Sequence, residues 1–289
     1  TSSAASDVYK RQEETPARTG AADAVDAYRS ELAALTDLPE MRMIGAEAYR
    51  WRLENGLLLT WTAEGLLAHA EAELERVEAE IADLEARVPP LAPPTAEEEA
   101  LAEGLDQAGV LALYDAMVAR DLAALRGMDV VTVPDDLPPL RARPTPATLI
   151  PLTGDGGSMN PVTPFGPSEG AWWNVENYKT PDDERRLGTV VTMSRHHETW
   201  FGPYAVHEGV PGHHLQLAIS RDNPRPVRKL LQSSPSAEGW ALYAEALFEE
   251  NGGFGGTEVG RLVMLRSYRA RIKRVVFSVR VETGEWSLQ

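Results

Sequence analysis

Apolar positions recur every three to four residues through most of the chain's first 130 residues, in a background rich in Ala, Leu and Glu. The clearest stretch is "AEAELERVEAEIADLEARV". Its Leu74, Val77, Ile81, Leu84 and Val88 follow a 3-4-3-4 spacing, which predicts a long helix with one apolar stripe and a charged, solvated remainder. "VPPLAPP" ends it, because proline lacks the amide donor and clashes with the preceding turn. A second helix is expected to start at Thr95, with Glu98 three residues on as its capping-box partner. A third runs through "VLALYDAMVARDLAALRG" and is expected to stop at Gly127. Three heptads of stripe are too few for a separate coiled-coil rod, so this half reads as a helical bundle.

The periodicity then fails. Residues 131–170 are dense in proline and glycine, which predicts irregular chain wrapping a surface or lining a cleft. "AWWNVEN", residues 171–177, is the strand candidate, being aromatic and β-branched with turn residues after it. Helical spacing returns from residue 181, with breaks at 209–212, 222–226 and 251–256. The fold class expected is mainly α, with a small β element just before a cluster of histidines. Residues 1–20 read as a disordered or non-native segment, 21–130 as the helical region and 131–289 as a metal-binding catalytic region of the same continuous fold. Because the chain starts at Thr1 and ends on "VETGEWSLQ", it reads as a piece of something longer.

Composition narrows the chemistry. A net charge of −16 disfavours nucleic acid and anionic lipid as partners. No apolar run approaches the ~18 residues a membrane span needs. With no basic and apolar leader in view, a cytoplasmic location is expected, or a secreted or periplasmic one if a signal precedes Thr1. The chain has no cysteine, so disulfides and thiolate sites are excluded and any metal must be held by nitrogen and oxygen. Oligomeric state is not legible.

Five of the six histidines lie between residues 196 and 214. "YAVHEGVPGHHLQLA" opens like the zinc-binding H-E-x-x-H helix, with His207 and Glu208, but Pro211 stands where the second histidine belongs. On an unbroken helix His213 would lie ~9 Å along the axis from His207, too far to share an ion. Pro211 forbids that helix, and Gly209 and Gly212 permit a loop that returns His213 to the first histidine, with His214 the alternative. "SAEGWALYAE" adds Glu238 as a third ligand, 31 residues after His207, and Glu245 on the same helix face. Two imidazoles and a carboxylate leave zinc an open position, as catalytic sites require. Glu208 is then the base that activates a zinc-bound water, and Glu245 orients a ligand histidine. Tyr243 is a candidate for oxyanion stabilisation, with core packing as its other role, and His196 and His197 are further candidate donors. Tyr268, Arg269 or Arg274, in the one strongly basic stretch, would bind a substrate carboxylate if near the cleft.

"HEGVPGHHLQ" followed by "EGWALYAE" resembles the signature pair of the bacterial domain of unknown function 885 family, thought to be fold-related to the thermostable, Taq-type zinc carboxypeptidases. "MIGAEAYRWRLENGLLLTWT", "WWNVENY" and "GRLVMLRSYRARIKRVV" extend the likeness over most of the chain. The resemblance implies a zincin-like helical metallopeptidase fold, zinc at His207, His213 and Glu238, and Glu208 as the base. It also implies that the "WWNVEN" strand edges the cleft and pairs with an extended peptide, and that the family's final helices lie beyond residue 289. The function expected is zinc-dependent hydrolysis of peptide bonds, carboxypeptidase-like. The alternatives are an inactive metal- or peptide-binding scaffold and a hydrolase of non-peptide amides or esters.

Overall fold

The computed structural model describes residues 16–34, 43–178, 182–231 and 233–287. The expectation for residues 1–20 lies mostly outside these, and 16–20 begin a helix. Two compact units are present, Thr1–Ile44 and Gly45–Gln289. In the first, helix α1 spans Pro16–Ala33.

The second unit carries the long stripe. Helix α2 (Ala46–Trp51) runs into a π-helical turn at Arg52–Gly56. Helix α3 (Ala63–Glu85) starts where the Thr62 side chain accepts the Gly65 amide. Val77, Ile81 and Leu84 are buried in the main core, with Leu74 and Val88 packed at its margin, as the spacing predicts. The charged remainder of α3 is more than a solvated face. Helix α12 (Glu258–Glu282) lies antiparallel along it, and Glu85 pairs with Arg266, Glu80 with Arg261, Glu78 with Lys273 and Glu71 with Arg280. Most of these side chains are half exposed, and such pairs contribute ~0–1 kcal/mol each. They fix the register of α12 on α3; the buried stripe supplies the stability.

Helix α4 (Ala96–Glu103) has the expected capping box between Thr95 and Glu98. Helix α5 (Gln107–Met128) runs through Gly127, where a stop was expected, and ends at Asp129 in a left-handed conformation. The proline-rich segment then yields two strands that neither periodicity nor propensity signals. Strand β1 (Leu140–Pro144) pairs in parallel with β3 (Ala171–Val175), and β2 (Ser158–Asn160) pairs antiparallel with β3 on its other side. The short helix α6 (Ile150–Thr153) lies between β1 and β2. The tryptophan-rich strand is therefore the centre of a three-stranded sheet, and β2 takes the edge expected of it. Trp173 is buried from that centre against Tyr114, Phe201 and Tyr204.

Helix α7 (Asp183–Ser194), a 3-10 turn at His196–Glu198 and helix α8 (Phe201–Glu208) follow. Then come α9 (His213–Arg221), α10 (Pro226–Leu230) and α11 (Ser234–Glu250), with the breaks where glycine and proline put them. The chain is thus mainly helical with one small sheet. Among the described residues no helix is long and apolar enough to cross a membrane.

Candidate metal centre

Helix α8 is apolar almost all round, and Phe201, Ala205 and Val206 are buried. It therefore carries the last residues before its end, His207 and Glu208, into the protein. Pro211 stops the helix there. The peptide before it is cis, and His213 opens a new helix instead of continuing the old one. Gly212 makes the reversal fit. Its amide bonds the Val206 carbonyl, and a Cβ at this position would lie 2.0 Å from the His207 carbonyl oxygen. The break is a join between two helices, tighter than a bulge of two looped-out residues, and it leaves the His207 and His213 rings 4.8 Å apart and nearly perpendicular.

Helix α11 supplies the carboxylate. Glu238 stands 3.4 Å from His207 Nε2 through one oxygen and 3.5 Å from His213 Nε2 through the other. One donor atom from each of the three residues lies within 4.8 Å of the other two. These spacings are long for hydrogen bonds, but two donors held tetrahedrally at ~2.0–2.1 Å from one zinc ion lie ~3.3–3.4 Å apart. Trp240 Nε1 donates to the Pro211 carbonyl and ties α11 to the glycine-proline turn.

His207 has a fixed tautomer. Its Nδ1–H donates to the buried Glu245 carboxylate at 2.8 Å, so Nε2 keeps its lone pair towards Glu238. The same Glu245 oxygen accepts from Arg271 at 3.0 Å. Burial works against a charged His207, but the Glu245 bond and charge outweigh it and hold its pKa above the ordinary value. His213 is shifted down by burial and then by His207. His214, one residue on, points elsewhere: its Nε2–H donates to the Pro138 carbonyl at 2.8 Å.

Glu208 lines the same cleft, of ≈ 360 Å³, with β2 residues Ser158 and Met159 across from it. Burial pushes its carboxyl up to about 7; the charge of His207 opposes this and that of Glu238 adds to it. One neighbour was not singled out in the sequence. Tyr204, four residues before Glu208 on α8, packs against Trp173, and Gly157 leaves room for its hydroxyl: a Cβ there would lie 3.1 Å from it. Burial, and then the charge of Glu208, push that hydroxyl up to about 12. The i, i+4 spacing from Glu208 was the available signal.

The other candidates fall elsewhere. Tyr243 is 56 % exposed, neither in the core nor in the cleft, and lines a separate groove with Arg76 and Tyr268. Arg269 and Arg274 do not line the cleft; the basic helix reaches the site only through Arg271. His196 is fully buried and served on both sides, by Arg120 at Nδ1 (2.6 Å) and by Asp121 at Nε2 (2.9 Å). Arginine can only donate, so His196 accepts at Nδ1 and donates from Nε2 to Asp121, a neutral imidazole fully used by the fold. His197 packs on it and is pushed down to about 4, mainly by burial. Asp121, His196 and His197 also have converging donor atoms, but the Arg120 bond leaves His196 nothing to give a metal without rearrangement.

No curated protein matches the chain. Two solved structures share its fold. One, described as a candidate lipoprotein of unknown function from Shewanella oneidensis, has a TM-score of 0.65 at 18% identity, over 92% of this chain and 48% of that one. The other, from Colwellia psychrerythraea and also described as a candidate lipoprotein, has a TM-score of 0.60 at 19% identity, over 85% and 42%. The chain spans about half the length of these structures or less. The sequence profile of the bacterial proteins of unknown function called DUF885 matches residues 2–289, and the chain belongs to that family.

Proposed function

We propose that the chain is a zinc-dependent hydrolase of peptide bonds, carboxypeptidase-like, built on a zincin-like helical fold. The observation that carries this is the convergence of donor atoms of His207, His213 and Glu238 within 4.8 Å of one another, beside a half-buried carboxylate that is not a ligand. The donor set suits zinc, and zinc supplies Lewis acidity towards a substrate carbonyl and acidifies a water. The chain's residues then divide the remaining work. Glu208, half-buried at the cleft wall, accepts a proton near neutral pH and returns it to the leaving amine. Tyr204, whose hydroxyl lies behind Gly157 of the cleft lining, keeps its proton across that range and is the nearby donor for developing charge. Glu245 and Arg271 hold the His207 ring. Strand β2, with an unpaired edge on the cleft, is the element an extended peptide would pair with.

The two related structures are described as candidate lipoproteins, which favours the cell envelope over the cytoplasmic location expected from the sequence. The test of the hydrolase is Glu208→Gln in zinc-loaded protein, with metal content and cleavage of a peptide library measured together. Zinc near one per chain with cleavage lost supports the reading. Unchanged cleavage removes Glu208 as the base, and a wild-type protein that neither holds zinc nor cuts peptides removes the reading.

A further inference from the structure

The metal cleft does not end at His213. Leu217 and Ala237 line it and also line a second pocket of ≈ 300 Å³, so one groove continues between α9 and the first turn of α11. Its chemistry changes along the way. The far pocket is walled by Gln216, Ser220, Ser236 and Arg228, and no carboxylate lines it. Among the described residues Arg228 is in no ion pair, and with no carboxylate in the pocket wall nothing there neutralises it. Its backbone is pinned, since Ser220 Oγ donates to the Arg228 carbonyl at 3.0 Å. Gln216 walls the far pocket one turn after His213, between the metal cleft and Arg228. The N-cap of α11, Ser233, makes no side-chain cap bond, so the positive end of a 17-residue helix also faces this region.

We infer that this pocket binds the C-terminal carboxylate of a peptide whose scissile bond lies at the metal centre, with Arg228 as the recognition residue. The inference rests on the hydrolase reading for its substrate but not for its binding chemistry. A guanidinium matches a carboxylate in shape and charge, and the Ser236 hydroxyl is placed to add a hydrogen bond. From His213 to Ser220 is seven residues, ~10 Å along α9. An extended peptide covers ~3.3–3.6 Å per residue, so the carboxylate belongs about three residues past the cleaved bond. At −16 the chain as a whole repels anions, so a preference for a free carboxylate must come from a local cation.

The experiment compares N-acetylated hexapeptides carrying either a free C-terminal acid or an amide, bound to metal-free protein by fluorescence anisotropy. The acid form is expected to bind ~10-fold tighter. Arg228→Gln should abolish the difference and Arg228→Lys should keep part of it, with melting temperature unchanged because the side chain is exposed. Equal binding of acid and amide, binding of neither, or a preference that survives Arg228→Gln overturns the assignment. Cleavage by the zinc-loaded protein is scored separately. Carboxylate preference without cleavage leaves the pocket standing and sinks the hydrolase, and cleavage indifferent to the C-terminal group does the reverse.

Discussion

Glu245 and His207 meet in a 2.8 Å hydrogen bond on the buried side of the imidazole, with Arg271 on the same carboxylate oxygen at 3.0 Å. The other Glu245 oxygen is buried with no partner. A carboxylate in so dry a place is costly unless it is paired, and here both its partners fix the orientation of one ring. The chain has put a buried charge where it sets the lone pair of His207 towards Glu238.

Replacing that carboxylate by an amide should therefore cost metal before it costs fold. Glu245→Gln keeps the shape and one acceptor but loses the charge that favours the Nδ1–H tautomer. Zinc affinity, measured by competition with a chromophoric chelator, is expected to fall ~10–100-fold. Affinity equal to wild type would mean that the bond does not tune the site.

The adjacent histidines should part company. His213→Ala removes a converging donor, and zinc retention after gel filtration should be lost with little change in the melting of the metal-free protein. His214→Ala leaves the cluster intact but strips the Pro138 carbonyl of its partner, at about 1–3 kcal/mol. That variant should retain zinc and melt lower. Parallel zinc loss in both would contradict the assignment.

The two tyrosines separate in the same way. Tyr204→Phe removes a hydroxyl beside the cleft, and kcat is expected to fall 10-fold or more, with KM little changed, if that hydroxyl donates to developing charge. Tyr243→Phe, on the neighbouring groove, should leave both constants within twofold of wild type. A fall in kcat for Tyr243→Phe alone would restore the sequence-based choice.

What the sequence made legible was whatever repeats locally. The α3 stripe, the Thr95–Glu98 box and the helix breaks at 209–212, 222–226 and 251–256 are decided by residues within a turn or two of one another, and they stand in the structure, whereas Gly127 stops nothing. His207, His213 and Glu238 were findable because Pro211 announces a reversal and the histidines flank it. Strands β1 and β2 were not, because their residues carry no period and are held by pairing with β3 from positions 12–31 residues away. Tyr204 and Arg228 were missed for a related reason: each matters through what packs beside it. The acidic face of α3 and the basic face of α12 looked solvated separately, since only the antiparallel packing makes them partners.

The connection from the capping box to the site gives a last expectation, in pH. Glu98 caps α4 through Thr95 and also accepts from Ser194 and Arg195, the residues that lead into the 3-10 turn before α8. The Arg195 bond, then the Thr95 amide, lower its pKa to about 2 from an ordinary 4.5. A depressed carboxylate stabilises the fold above the unfolded-state value, and that contribution drains away as pH falls from about 4.5 towards 2. Glu98→Gln should therefore cost on the order of 1–3 kcal/mol at pH 7, the scale of hydrogen bonds to charged groups, and progressively less towards pH 3. Urea melts of both proteins at the two pH values measure it. A penalty that is constant with pH would mean that Glu98 acts through shape alone and that its charge does not join α4 to the approach to α8.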